Sequence, residues 1–175
     1  MMLSGCGTAP AESSAEPSEM SEINVVSKEE TSFVAFPKGI STYSKNKLQY
    51  TDGTISVIFT DEFYISNEDY KPKNGVYLQN TDGTATLLIE TVEDNPVTNE
   101  EMLAYLYETY PYSEISALEN NDIVSWYIVT DKAGNNIITF QRIQTTGSGY
   151  RQICLNCRQA DKDKYQKIFN AISFS

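Results

Sequence analysis

The pattern with the most evident chemistry is Cys154-Leu155-Asn156-Cys157, a pair of thiols separated by two residues. In redox enzymes such a pair opens a helix, whose N-terminal dipole lowers the pKa of the first thiol. Here residues 150–157 are predicted to form a β-strand. Extended residues at i and i+3 have Cα atoms roughly 10 Å apart, beyond the about 7 Å that a disulfide spans. Buried or half-buried free thiols are therefore the favoured interpretation. A disulfide, which needs a turn at Leu155-Asn156, and redox catalysis remain alternatives.

The sequence of 175 residues contains no histidine. It therefore lacks the Ser-His and Cys-His pairs of nucleophilic catalysis and any histidine-ligated metal. Ser44-Lys45-Asn46-Lys47 matches the S-x-x-K of penicillin-binding enzymes, but the accompanying S-D-N and K-T-G motifs are missing. No calcium loop of the D-x-[DN]-x-[DN]-G type occurs, although a looser site at the Asp82 or Asp131 turns remains an alternative. We therefore predict a protein without catalytic residues, cofactor or metal.

Tyrosine is the residue type best suited to binding here, with 12 copies in the chain. Tyr105, Tyr107, Tyr110 and Tyr112 cluster on and just after the first predicted helix. Tyrosine has a rigid apolar face and a polar tip, which suits recognition of proteins or sugars. Most of the tyrosines are expected to be half-buried at the edge of the core. Tyr107 lies off the apolar stripe of its helix, and Tyr107 and Tyr112 are the predicted interaction surface.

The charge balance argues against nucleic acid as a partner. The chain has 13 Lys and Arg against 24 Asp and Glu, a net charge of −11. Nucleic-acid affinity depends largely on clustered cations that displace counterions from phosphates, and no basic run or basic helix face occurs. Adsorption to anionic lipid is disfavoured for the same reason.

The N-terminal tetrapeptide Leu3-Ser4-Gly5-Cys6 resembles the lipobox of bacterial lipoproteins, in which small residues precede the cysteine that receives the lipid. The resemblance implies that Cys6 is lipidated and that the protein is anchored at the extracytoplasmic face of a bacterial cell membrane. A signal peptide needs an apolar region of about 7–15 residues, so we interpret residues 1–5 as the remnant of one. A chance match in a cytoplasmic tail is the alternative.

Residues 6–30 are expected to form the lipidated cysteine and a flexible acidic linker. Positions 7–30 contain six glutamates, five serines, two prolines and no aromatic residue. Such a composition cannot bury enough apolar surface to offset the entropy of ordering.

Residues 31–175 are predicted to form one domain of ordinary size. Alternating apolar patterns predict strands at 32–36, 54–60, 62–66, 75–79, 84–92, 113–119, 122–130, 136–144 and 150–157. A capping box, Thr98 with Glu101, opens a helix whose apolar stripe is Met102, Leu103, Leu106 and Tyr110, and a second helix is predicted at 161–172. Asp-Gly pairs within residues 51–54 and 81–84 predict two-residue hairpin turns. Residues 131–135 predict the turn of a third hairpin. Strand 122–130 is apolar on both faces, which predicts a central strand. The element order indicates an α+β fold, a mostly antiparallel sheet flanked by two helices.

From Tyr50 to Ser175 this order resembles the PsbP-like family. The matching features are "DGTISVIF", "TATLLIE", "TNEEMLAYL", a three-strand meander and a terminal helix that ends in Ile172-Ser173-Phe174. The resemblance implies a PsbP-like sandwich and an accessory role beside a larger extracytoplasmic complex. Some members of the family bind metal through histidines, a property that does not carry over to this chain.

Two hypotheses for the function follow. The first is a non-catalytic lipoprotein that docks on another envelope protein. The second is a domain that captures a carbohydrate or peptide with exposed tyrosines. A flat sheet face or a patch at the helix edge would favour docking, whereas a cleft lined by aromatic side chains would favour capture.

Overall fold

The computed structural model describes residues 36–66, 70–111, 113–117 and 122–175, which all fall within one compact unit. Three predicted features lie outside the described residues. They are the lipidation site Cys6 with the acidic linker, the first predicted strand apart from Phe36, and Tyr112. Phe36 itself belongs to no strand.

The described ranges contain eleven β-strands and two α-helices. The strands are β1 Ile40–Ser44, β2 Lys47–Thr51, β3 Ser56–Thr60, β4 Ile65–Ser66, β5 Gly75–Gln79, β6 Ala85–Glu93, β7 Glu114–Ala117, β8 Asp122–Thr130, β9 Asn136–Thr146, β10 Gly149–Arg158 and β11 Ser173–Phe174. The helices are α1 Asn99–Thr109 and α2 Lys162–Asn170.

The strands form two antiparallel sheets. The smaller has the order β1-β2-β3-β11, and the larger has the order β4-β5-β6-β10-β9-β8-β7. The main hydrophobic core joins one face of the larger sheet to β2, β3 and α2, through buried residues such as Val57, Leu87, Leu155 and Phe169. The prediction of an α+β fold with mostly antiparallel strands and two helices is confirmed.

Helix α1 begins where its capping box predicts. The Glu101 backbone N–H donates to Thr98 Oγ1 at 3.2 Å, and the Thr98 N–H donates to Glu101 Oε2 at 2.8 Å. Met102 and Leu106 are buried against Ile123 and Ile143 on the face of the larger sheet opposite the main core. This small second cluster holds α1 on that face, and the helix becomes one wall of a cleft.

Several strand predictions need correction. Strands β1 and β2 were not predicted. Together they have ten residues, and only Ile40, Leu48 and Tyr50 among these are buried, so the alternation of apolar and polar residues is weak. Residues 62–66 form the end of a 3₁₀ turn and then the two-residue β4. Residues 150–157 are not the last strand, since the chain continues beyond α2 into β11, which pairs with β3.

The two apolar faces of strand β8 predicted that it lies at the centre of the sheet. The strand instead lies next to the edge strand β7. Ile123 and Tyr127 are buried on the α1 side, and Trp126 is partly buried against the main core. Ile128 and Val129, at the end of the strand, remain 49% and 41% exposed. The central strand is β10, on which Ile153, Cys154 and Leu155 are buried on alternating faces.

The two Asp-Gly turns share one local structure. Asp52 Oδ1 accepts from the Thr54 N–H and hydroxyl, and Asp82 Oδ1 accepts from the same two groups of Thr84. Each glycine that follows has a positive φ, 91° at Gly53 and 67° at Gly83. The hairpins are confirmed, but the prediction of two-residue turns is wrong. Their loops span residues 52–55 and 80–84, because each aspartate closes a wider turn with its side chain.

Candidate ligand-binding cleft

A cleft of about 670 Å³ lies between α1 and the larger sheet. We call it the helix–sheet cleft. Its floor is formed by Gln141 and Ile143 on β9 and by Tyr150 and Gln152 on β10. The walls are formed by α1 with Tyr110 and by the segment that leads into the helix, through Asn95, Pro96, Val97, Glu101, Met102, Tyr105 and Leu106. Its volume lies within the range of pockets that hold small ligands, roughly 300–1,000 Å³.

Three polar side chains form a hydrogen-bonded row across the floor, which we call the amide ladder. Glu90 on β6 lies directly opposite Gln152 on β10, and Gln152 Nε2 donates to Glu90 Oε1. Gln141 on β9 donates in turn from Nε2 to Gln152 Oε1 at 2.9 Å. The pairing β6-β10-β9 therefore brings together three residues that are far apart in the sequence.

The end of the ladder leaves a buried acceptor without a protein partner. Gln141 is only 9% exposed, and its Oε1 accepts no hydrogen bond from the residues that the structure describes. The neighbouring Ser125, directly opposite Gln141 on β8, is 3% exposed, and its Oγ is likewise unpaired within the described ranges. Buried polar groups in native proteins are nearly always hydrogen-bonded, so such exceptions need an explanation.

The negative charge of Glu90 raises the pKa of three groups near the cleft floor. It is the first cause of the raised pKa of Tyr70. At Tyr150 burial raises the pKa most, and the Glu90 charge adds to it. Burial, followed by the Glu90 charge, also raises the pKa of Cys154 to about 12. These phenols and the thiol are therefore held in their neutral forms.

Of the two predicted interaction tyrosines, the structure describes Tyr107 and not Tyr112. Tyr107 is 56% exposed on α1, as its position off the stripe predicts, and it does not line the helix–sheet cleft. Tyr105, equally exposed at 56%, does line the cleft, and no feature of the sequence distinguishes it from Tyr107 as a binding residue. Tyr110 stacks on Tyr127, with ring centroids 3.8 Å apart and an interplanar angle of 11°.

The two thiols of β10 are free and buried, which confirms the favoured interpretation and argues against the disulfide. Cys157 faces the main core with Leu155, whereas Cys154 faces the opposite side with Gln152 and Asn156. Burial raises the pKa of Cys157 to about 11. Nucleophilic cysteines have lowered pKa values, so both thiols are unsuited to redox catalysis.

The other candidate motifs have structural roles. Ser44-Lys45-Asn46-Lys47 forms the turn between β1 and β2, where Asn46 takes a positive φ of 61°. Asp82 and Asp131 each accept hydrogen bonds within their own turns. The bonds from Thr84 lower the pKa of Asp82, and those from Asn135 lower the pKa of Asp131. The described ranges contain no group of three or more Cys, Asp or Glu side chains placed to hold a metal ion.

The chain matches no protein-family model, and no curated protein matches it. No helix in the described ranges combines the length and the apolar character needed to cross a membrane.

Proposed function

We propose that this chain is a non-catalytic surface lipoprotein whose α+β domain captures a carbohydrate or peptide ligand in the helix–sheet cleft. The observation that carries the proposal is a cleft lined by Tyr105, Tyr110 and Tyr150, with the side-chain amides of Gln141 and Gln152 on its floor. An aromatic cleft with a few convergent polar groups is the usual form of a small-ligand site.

The side chains of the cleft are suited to binding rather than to acid–base chemistry. The Glu101 carboxylate accepts from Thr98 in the capping box, and the amide ladder holds Gln141 and Gln152. A general acid or base must exchange a proton with the substrate at a pKa near the working pH. Amides do not titrate, and the pKa of Tyr150 is raised further from neutrality.

The resemblances at the N-terminus and along the domain support the location. The lipobox-like segment that ends at Cys6 and the PsbP-like order of elements both imply an extracytoplasmic protein held at a membrane. The acidic linker would give the domain a reach of about 25–30 Å as a flexible coil. A bacterial cell membrane, bound through lipid on Cys6, is therefore the proposed location.

We expect Tyr105→Ala to weaken ligand capture by about 1–2 kcal/mol, the usual loss for an exposed aromatic anchor. The experiment is a glycan and peptide array, followed by calorimetric titration of the bound ligands. Tyr43→Ala is the matched control, since Tyr43 is 54% exposed on β1, outside the cleft. Both variants should keep the melting temperature, because surface substitutions typically change stability by within ±0.5 kcal/mol.

Docking on an envelope protein is the second candidate function, and the exposure of Tyr107 on the outer side of α1 favours it. The same experiment separates the two. If Tyr107→Ala abolishes binding of an isolated ligand or partner while Tyr105→Ala leaves it intact, capture in the cleft is wrong and docking through the helix is supported.

The proposed lipid on Cys6 leads to a second prediction, which concerns attachment to the membrane. We expect the protein, expressed in bacteria behind a lipoprotein signal peptide, to sediment with membranes, and Cys6→Ser to move it to the soluble extracytoplasmic fraction. Without the thiol there is no attachment point for the lipid. Cys157→Ser, the same change at a buried core position, should stay with the membranes. Retention of Cys6→Ser in the membrane pellet would rule out the anchor.

A further inference from the structure

Three tyrosines form a row on the face of the larger sheet that carries α1, and we call them the tyrosine row. Tyr105 on α1 and Tyr150 on β10 both line the helix–sheet cleft. Tyr70 packs against Tyr77 of β5, with ring centroids 5.1 Å apart. Helix α1 packs on β8 and β9, and β5 lies on the other side of β10. Tyr105 and Tyr70 therefore lie on opposite sides of Tyr150.

The pairing of β5, β6 and β10 makes this face continuous from the cleft floor to Tyr70. Glu90 on β6 lies directly opposite Gln152 on β10, which lines the floor. Tyr77 and Tyr150 are diagonal neighbours of Glu90 on the two flanking strands, within reach of its side chain. The charge of Glu90 is accordingly the first cause of the raised pKa of Tyr70.

The side chains along the row are accessible to a ligand. Tyr105 and Tyr70 are 56% and 48% exposed, and Tyr150 is half-buried. Asn95 and Glu101 on the cleft wall are exposed as well. A ligand that lies over the row can therefore contact all five without entering the core.

The accessible polar groups include both donors and acceptors of hydrogen bonds. The amide of Asn95 and the hydroxyls of Tyr105 and Tyr150 can each do both, whereas the Glu101 carboxylate accepts. Sugar hydroxyls likewise donate and accept, while an ammonium group only donates and a phosphate or carboxylate only accepts. Tyrosine rings add apolar faces that can cover the C–H groups of a sugar ring. The mixture matches a ligand that is rich in hydroxyl groups.

The charges near the row disfavour an acidic ligand. Among the residues that the structure describes, no Lys or Arg lines the cleft, whereas Glu101 does. Hydrogen bonds from Thr98, its backbone N–H first, lower the pKa of Glu101 and keep it ionised. Glu90 adjoins the floor through its hydrogen bond with Gln152. A glycan that carries carboxylate, sulfate or phosphate groups would be repelled.

A peptide main chain finds few partners on this face. Peptides that bind a sheet usually pair with a free strand edge. The floor belongs to β9 and β10, and each of these strands is paired on both sides. Their main-chain groups are therefore used within the sheet, and the contacts that remain come from side chains.

We infer that the tyrosine row binds an extended neutral glycan, with one part of the chain in the helix–sheet cleft against Tyr105 and Tyr150 and another part against Tyr70. This inference rests on the proposed function. It narrows the ligand to a neutral oligosaccharide and extends the site beyond the cleft. Tyr77 and Tyr150 are two strands and four residues apart, so their Cα atoms are separated by roughly 15–17 Å. A chain longer than a disaccharide is needed to contact both ends of the row.

The test is a titration of the ¹⁵N-labelled full chain, followed through the side-chain amide signals of Gln152 by NMR and through affinity by calorimetry. The neutral probes are the disaccharides and hexasaccharides of the cello-, malto-, xylo-, manno- and N-acetylchito-oligosaccharide series. A hexameric oligogalacturonide and an uncharged hexapeptide are the comparison probes. We expect at least one neutral series to shift the Gln152 signals saturably. Its hexasaccharide should bind about tenfold more tightly than its disaccharide, because Tyr70 then adds an aromatic anchor.

Three variants locate the effect. Tyr70→Ala should weaken binding of the hexasaccharide about tenfold and leave the disaccharide unchanged, whereas Tyr105→Ala should weaken both. Tyr43→Ala, at a position 54% exposed on β1, should change neither. If Tyr70→Ala weakens both lengths equally, Tyr70 acts through the packing of the sheet face and not by contact with the chain, and the extended site is wrong.

The remaining outcomes separate this inference from the proposed function. Binding of the oligogalacturonide or the hexapeptide as tight as that of the best neutral hexasaccharide would overturn the neutral glycan. A hexasaccharide that binds no more tightly than its disaccharide would overturn the extended chain. In each of these cases capture in the cleft would stand, provided that a probe shifts the Gln152 signals. If no glycan and no peptide shifts them, both proposals are wrong.

Discussion

Gly149→Ala is expected to lower the free energy of unfolding by about 3 kcal/mol, the upper end of the usual cost of overpacking. A Cβ atom at this position would lie 1.9 Å from the Val92 carbonyl oxygen and 3.3 Å from the Glu93 Cα. These are backbone atoms of the paired strand β6, so no side chain can rotate away to make room. β6 and β10 must move apart where their ladder begins.

Urea unfolding of wild type, Gly149→Ala and Gly147→Ala measures this effect. Gly147 lies two residues earlier, where an added Cβ meets no atom of the described residues within 4 Å and φ is not positive. Gly147→Ala should therefore be neutral, or more stable by about 0.4–1 kcal/mol through a less flexible unfolded chain. Equal destabilisation by both substitutions would mean that the loss comes from the turn and not from the contact between strands.

The same substitution should also affect the cleft. Tyr150, the residue after Gly149, pairs with Val92 and lines the floor. A shift of β10 at Gly149 would therefore move Tyr150 relative to α1. Ligand binding by the folded fraction of Gly149→Ala should fall as well, whereas Gly147→Ala should bind like wild type.

The parts of the fold that the sequence predicted well are set by local interactions. The start of α1 depends on Thr98 and Glu101, which are three residues apart, and the stripe of Met102 and Leu106 follows the helical period. The third hairpin depends on Asp131, whose carboxylate closes its own turn. Features of this kind need no knowledge of the rest of the chain.

The order of the strands could not be predicted in the same way, because pairing joins segments that are distant in sequence. Strand β8 has apolar residues on both faces, yet each face is covered by a different element, α1 above Ile123 and the main core below Trp126. Apolar residues on both faces of a strand therefore indicate that both faces are covered by other elements, and they do not indicate where the strand lies in the sheet. The short strands β1 and β2 were missed because their exposed positions dilute the alternation.

The candidate site was missed for a related reason. Glu90, Gln141 and Gln152 are unremarkable in the sequence, and only the pairing of β6, β10 and β9 aligns them. The available signal was a polar residue within an apolar strand, as in "LLIETV" and "ITFQRI". A buried amide at such a position has to find partners on neighbouring strands, so each was a candidate for a network.

Leu106→Ala is expected to destabilise the attachment of α1 by about 2–5 kcal/mol, as a core truncation does. Leu106 is 1% exposed and packs in the cluster of Met102, Ile123 and Ile143, which is separate from the main core. Because the two clusters are separate, we expect the loss to appear first as local opening of the helix, with the sheets still folded.

Native-state hydrogen exchange measures this directly. In Leu106→Ala the amides of α1 should exchange about 30-fold faster or more, since each 1.4 kcal/mol corresponds to a factor of ten. The amides of Ile153 and Leu155, on the central strand of the main core, should change less. Tyr107→Ala, at the next position but 56% exposed, should leave exchange of α1 nearly unchanged. If Tyr107→Ala accelerates exchange as much as Leu106→Ala, the buried face of α1 is misassigned. The helix would then be rotated about its axis, and this rotation would turn Tyr105 away from the cleft floor. The assignment of the cleft wall would be wrong as well.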